Sequence, residues 1–277
     1  MNFFLSKTRH VFRRRFAGLL LALLAGSAQA HDPVFGLGPH VLYQGGVEIS
    51  PGLHEAKRGD SRATELDLEL VYGITGDWAA GIELSRVRQR TGQAEVRGGG
   101  DPALFTKYRF WRDDRPGVQE SAALFLRLEP GTGAAGIEGN GSTDGIAGLA
   151  WGYESRRWYR WASLRYRRNG VDDAGLRRGE KLLLDFVGGF RPHLGGYLEP
   201  DTVWLLELNG EYGARAERNG QRLADSGGSE WFLSPGIFWT LRNFALKAGV
   251  QIPVASNLNG RQAASDYRLR LILEWHL

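Results

Sequence analysis

The 277-residue chain has six histidines and no cysteine, so a transition-metal site would have to be built on imidazole nitrogen rather than thiolate. His31 and His40 bracket the stretch "HDPVFGLGPH", and His276 is the penultimate residue. A histidine at a free N-terminus chelates through α-amine and ring together. His31, His40 and His276 are therefore the candidate ligands for copper or zinc. Against this stands a plainer reading: amphipathic residues with no cofactor at all. A second constellation is His54 near Ser50 and Ser61, which have the types needed for a base and a nucleophile. No G-x-x-x-x-G-K-[ST] phosphate loop is present, and "RGGGD" at 97–101 lacks the strand-to-helix setting of a dinucleotide site.

Whether His31 can be a terminus depends on what precedes it. "KTRHVFRRRF" is followed by the apolar run "AGLLLALLAG" and then by Ala28-Gln29-Ala30. This is the order of a secretory signal peptide, so residues 1–30 are expected to be cleaved in front of His31. The apolar run falls well short of the roughly 20 residues that a membrane-spanning helix needs. Five of the 35 Lys and Arg lie in residues 1–30, which hold no acid. The remaining 30 against 31 Asp and Glu leave a net charge of −1. The basic surplus thus belongs to the export signal, and nucleic acid is not expected as a partner.

After residue 30 the dominant signal is period-two alternation, the mark of strands with one apolar and one polar face. "TELDLELVYGI" sets Leu66, Leu68, Leu70 and Tyr72 against Glu65, Asp67 and Glu69. "YRLRLILEWHL" does the same for Tyr267 to Leu277. Twelve strands are expected near 39–50, 64–74, 77–89, 101–112, 119–130, 143–155, 158–169, 181–193, 201–213, 229–241, 244–254 and 265–277. Odd strands are followed by long Gly-rich charged loops such as "PGLHEAKRGDSRA" and "EPGTGAAGIEGNGS", and even strands by short turns such as "TG" and "RN". Alternating loop lengths and an even strand number predict an all-β fold: a transmembrane antiparallel up-and-down β-barrel of twelve strands, with both termini periplasmic. The domains expected are a signal peptide at 1–30, a periplasmic N-terminal segment at 31–38 and the barrel at 39–277.

The aromatic residues test this independently. Trp78, Trp158, Trp204, Trp239 and Trp275 fall at turn ends with apolar parity, and Tyr166, Tyr212, Trp231 and Tyr267 at loop ends with the same parity. Two such girdles are what a bilayer selects. The opposite parity is expected to line the lumen. On the early strands it carries Glu65, Asp67, Glu69, Glu83, Lys107 and Arg109. Farther along come Arg127, Glu129, Arg165, Arg167, Asp185 and Arg191. The last strands add Glu207, Glu211, Lys247, Arg268, Arg270 and Glu274. Charges of both signs are tolerable inside a membrane only against water or one another. The lumen is thus either a narrow polar pore or a salt-bridged plug. His40, His193 and His276 are expected at the periplasmic rim facing inward, with His40 and His276 neighbours across the closing seam. The runs "RYRR" and "LRR" are expected at the outer rim, where they meet lipopolysaccharide phosphates or solvent.

Three stretches, "GDPALFTKYRFW" (100–111), "FLSPGIFWTLRNFALKAGVQIPV" (232–254) and "DYRLRLILEWHL" (266–277), resemble the outer-membrane channel family named for the meta-pathway of phenol degradation. The resemblance implies a barrel that passes or binds a small solute, aromatic, hydrophobic or metal-related, and it carries no catalytic residues. It also implies a last strand read by the barrel-assembly machinery, which favours a terminal aromatic where this chain has Leu277. The expected surroundings are outer-membrane lipid and lipopolysaccharide. Two alternatives stay open: a non-conducting barrel with a copper or zinc site at its periplasmic rim, and a lipid-modifying enzyme using His54. The His-x-Ser-Asn motif of the outer-membrane phospholipase is absent, so no enzyme is expected and His54 reads as a solvated loop residue.

Overall fold

Strands whose faces alternate between apolar and charged must turn the charges inward once they sit in lipid. Closure into a cylinder is the one arrangement that leaves no strand edge unpaired there. The computed structural model, which describes residues 32–137, 141–196 and 198–277, has that form. The barrel strands are β1 (Val47–Arg58), β2 (Ser61–Thr75), β3 (Trp78–Thr91), β4 (Ala103–Arg115), β5 (Val118–Glu129) and β6 (Asp144–Ser155). They continue as β7 (Trp158–Arg168), β8 (Lys181–Phe190), β9 (Asp201–Gly213), β10 (Gly228–Leu241), β11 (Phe244–Leu258) and β12 (Ser265–His276). Each pairs antiparallel with its sequence neighbours, and β1 closes the cylinder on β12 with Glu48 opposite His276 and His54 opposite Arg270. This is a transmembrane antiparallel barrel of twelve strands. The signal peptide and His31 lie outside the described residues.

Eleven strands fall where the alternation puts them. The first does not: β1 begins at Val47, eight residues later than expected, so most of the presumed first loop is strand. The true connection from β1 to β2 is the two-residue turn Gly59-Asp60, with Gly59 at φ 55°. The other connections at this end are long and partly ordered. Ala94–Gly99 extends β3 as a hairpin, and Leu176–Arg177, Glu217–Arg218 and Gln221–Arg222 form a small three-stranded sheet above the rim.

The outer face is apolar in the band where lipid is expected. Trp78, Trp158, Trp204 and Trp275 stand exposed at the turn ends, and Tyr166 and Tyr212 at the loop ends. Residues 32–46, which precede β1, do not hang below the barrel. They run up into the lumen and back, and Val34 is fully buried there against Trp161, Val187, Val203, Leu205 and Phe238. Inward apolar side chains in the turn-side half of the barrel are thus matched to the segment that fills it.

Candidate functional site

The lumen is the candidate site, and the segment at 32–46 divides it. Glu207 on β9, 1% exposed, points inward and receives three consecutive backbone N–H groups. Val34 and Gly36 donate at 2.8 Å and Phe35 at 3.2 Å. Successive N–H groups curled around an anion are a nest, and the carboxylate supplies the charge that holds it. Arg270 Nη1 donates to the Val34 carbonyl at 2.8 Å, and its guanidinium lies 5.5 Å from the Phe35 ring. Lys107 Nζ binds both oxygens of Asp32, at 2.6 and 2.9 Å. The wall is cut back to admit the chain: a Cβ on Gly249 would stand 2.9 Å from the Phe35 ring, and one on Gly152 2.8 Å from Pro39.

On the loop side of this segment lies a cavity of about 810 Å³, lined by charged residues of both signs. On the turn side lies a second of about 260 Å³, lined by His40, Tyr159, Trp161, Arg191 and Arg242 among others. Asp32 borders both.

The larger cavity has an ordered electrostatic wall. Arg127 makes a two-pronged contact with Glu83, 2.8 Å on each arm, and a third bond to Glu129 at 2.7 Å. Glu129 accepts from Arg167 at 2.5 Å, and Arg167 reaches buried Asp144 at 2.7 Å. Arg178 caps Asp144 from the loop after β7. The ladder runs across β3, β5, β6 and β7, alternating in sign. Farther round, Asp185 holds Arg165, Ser163 and Asn209 at 2.6–2.8 Å, and Asn209 accepts from Ser234 and Gln251. Arg268 pairs with Glu211, and Lys247 with Glu274. On β2, Glu65, Asp67 and Glu69 line the cavity as an acidic strip.

Of the residues expected inside, Glu65, Asp67, Glu69, Glu83, Arg127, Glu129, Arg165, Arg167, Asp185, Glu211, Lys247, Arg268, Arg270 and Glu274 all border this cavity. Lys107 and Glu207 hold the segment instead. Arg109 is spent at the turn after β2, bound to Asp77 and to the Gly76 carbonyl. Arg191 pairs with Asp201 at 2.9 Å on the turn side.

The histidines come out differently from expectation. His40 does not start a strand. It lies in the inserted segment, hydrogen-bonded to Glu154 of β6 and edge-on to Trp161 of β7. His276 is on the opposite wall, 3.7 Å from Glu48 of β1. The expected meeting of His40 with His276 is therefore not formed, because the eight-residue shift of β1 takes His40 off the seam. His193 follows the end of β8 and is exposed. Among the described residues no group of three or more His, Asp or Glu is placed to hold a metal. His54 is no loop residue either: it sits on β1 facing the lumen, 3.4 Å from Asp67, while Ser50 bonds to Glu48 and Ser61 to Thr91. A His54 base beside a serine at a lipid-facing surface is not what the fold builds.

The Gly and Pro of "HDPVFGLGPH" mark an irregular entry segment able to cap a narrow lumen, but not how this inserted segment is held. Three of its anchors are backbone N–H groups, which every residue type carries, while Asp32 and His40 add side-chain contacts to Lys107 and Glu154.

No family model matches the chain, and no curated protein matches it. Among solved structures it is similar to an outer membrane channel from Pseudomonas putida F1, with a TM-score of 0.69 at 14% identity over 89% of this chain and 100% of that one. Lower scores are found for the NanC porin, 0.48 at 13% identity over 83% and 100% of the two chains. The β domain of the Bordetella autotransporter BrkA gives 0.49 at 13% identity over 84% and 100%. At these identities the likeness is one of fold: this chain has the architecture of an outer-membrane β-barrel.

Proposed function

We propose that the protein is an outer-membrane channel for small solutes, with the loop end facing out and both termini in the periplasm. The observation that carries this reading is the pair of lumen cavities, about 810 and 260 Å³, which lie on either side of the inserted segment and are both bordered by Asp32. A solute entering from the loop side meets a wall of both charge signs with Phe125, Ile146 and Leu183 between them. Such a surface favours a small amphipathic solute, an aromatic acid for example, over a purely apolar one. This is the solute class we infer from the resemblance to the phenol-pathway channels together with that lining. The selecting residues would be the predicted lumen set, with Glu83, Arg127, Glu129 and Arg167 as its organised core.

Planar-bilayer recording tests the reading. The protein should give small discrete steps, and removing residues 32–42 should raise the step several-fold by joining the cavities. Because a deletion can unfold a barrel, Gly249→Val offers a second route, since its side chain intrudes on Phe35 while the anchors stay. Silence from all three proteins, each shown to be folded, sinks the channel.

A further inference from the structure

At the loop end of β2 and β3 the outer surface departs from the rest of the apolar belt. Outward residues of β3 run Trp78, Ile82, Leu84 and then, with no break in alternation, Arg86, Arg88 and Arg90, all exposed. The same face of β2 runs from Tyr72 down to Leu66 and ends in Arg62. The two strands are in register, with Leu66 opposite Arg86 and Arg62 opposite Arg90. The hairpin extension adds Arg97 opposite Arg88. Like charges set directly across a ladder are destabilising, so a cluster of this kind wants an anion.

The chain supplies little of it. Glu95 gathers Arg88, Arg90 and Arg97 at 2.7, 2.8 and 2.5 Å, and Arg62 stands 3.8 Å from Glu55. Five guanidiniums against two carboxylates leave a positive surface at the upper edge of the apolar band. Of the basic runs first expected at this rim, Arg165 and Arg167 face the lumen and Arg177 and Arg178 are held by Glu217 and Asp144, while Arg168 alone stays exposed on the outer face.

We propose that this face binds the phosphorylated lipid A headgroup of lipopolysaccharide. Arg86, Arg88, Arg90 and Arg97 take phosphate oxygens in the two-pronged geometry that guanidinium favours. The exposed side chains of Leu66, Ile82 and Leu84 lie directly below, where the acyl chains of the same lipid run. Three observations select this occupant: net positive charge, lipid-facing parity and continuity with the apolar belt. The proposal rests on the loop end facing out, since lipopolysaccharide occupies the outer leaflet.

Native mass spectrometry of the detergent-solubilised protein with bisphosphorylated lipid A, and with the same lipid stripped of phosphate, tests it. The phosphorylated lipid should bind at least about tenfold more tightly, the scale of one lost charge-assisted contact. The triple variant R86Q/R88Q/R90Q should lose that difference, and R156Q/R157Q at the opposite rim should keep it. Equal binding of the two lipids to the unchanged protein overturns the site, whatever the variants do, and so does equal loss in both variants. A Gln93→Cys variant tests the orientation separately, because the chain has no other cysteine. Its labelling by an impermeant maleimide on intact cells is expected. Labelled cells with no phosphate-dependent binding would refute the site and leave the channel's orientation standing. Unlabelled cells would refute the orientation, and the lipid's identity with it.

Discussion

Glu207 shows how one side chain can set the state of the lumen. Its carboxylate is buried and accepts from three N–H groups of the inserted segment. Glu207→Gln keeps the shape but offers one accepting oxygen and an NH₂ that faces other donors. Hydrogen bonds to a charged group contribute about 1.5–3 kcal/mol each, so the segment should be held less firmly by about that much. The measurement is limited proteolysis: cleavage within residues 32–46 should accelerate by roughly tenfold while the barrel core stays intact. The carboxylate itself was legible in the alternating pattern, as an inward charge on β9. Its partners were not, since a backbone amide leaves no mark on residue type.

At the scale of elements, the ladder from Glu83 through Arg127, Glu129 and Arg167 to Asp144 ties four strands together along the inner wall. Arg127 is its central cation, so Arg127→Leu leaves two carboxylates facing the cavity without it. Reversal potentials in a KCl gradient should then shift toward cation selectivity by at least about twofold, the direction set by the added negative field. The hairpin at Ala94–Gly99 carries a pH signature of its own. Hydrogen bonds from Arg88, Arg90 and Arg97 lower the Glu95 carboxyl from 4.5 to about 2. A carboxyl depressed on folding adds order that is fully present above its unfolded value and is lost as pH falls through the folded one. Proteolytic or NMR order of this hairpin should therefore hold from neutral pH to about 4.5 and fail only toward 2. Strand positions were legible wherever an apolar face alternates without interruption. β1 was misplaced because "VEISPGLHEAKR" carries Pro51 and Gly52 mid-strand and polar residues on both faces at its loop end. The pairing of β1 with β12 is interrupted between Ile49 and Gly52, at the residue that has no N–H to give.

For the whole molecule, closure joins residues far apart in sequence, with Glu48 opposite His276, and the long charged loops gather at one end. If that end faces out, a cysteine at Gln93 and one at Arg157 should label oppositely: the first on intact cells, the second only after the outer membrane is opened. Equal labelling of both on intact cells would reject the orientation. The inserted segment has a practical consequence for handling the protein. Asp32 is gripped by Lys107 inside the lumen and borders both cavities, so a probe placed on it reports from within the barrel. A load applied there would pull against the anchors at Glu207. The wall that β1 and β12 seal thus encloses a segment that belongs to the same chain, so filling the lumen and closing the cylinder are parts of one fold.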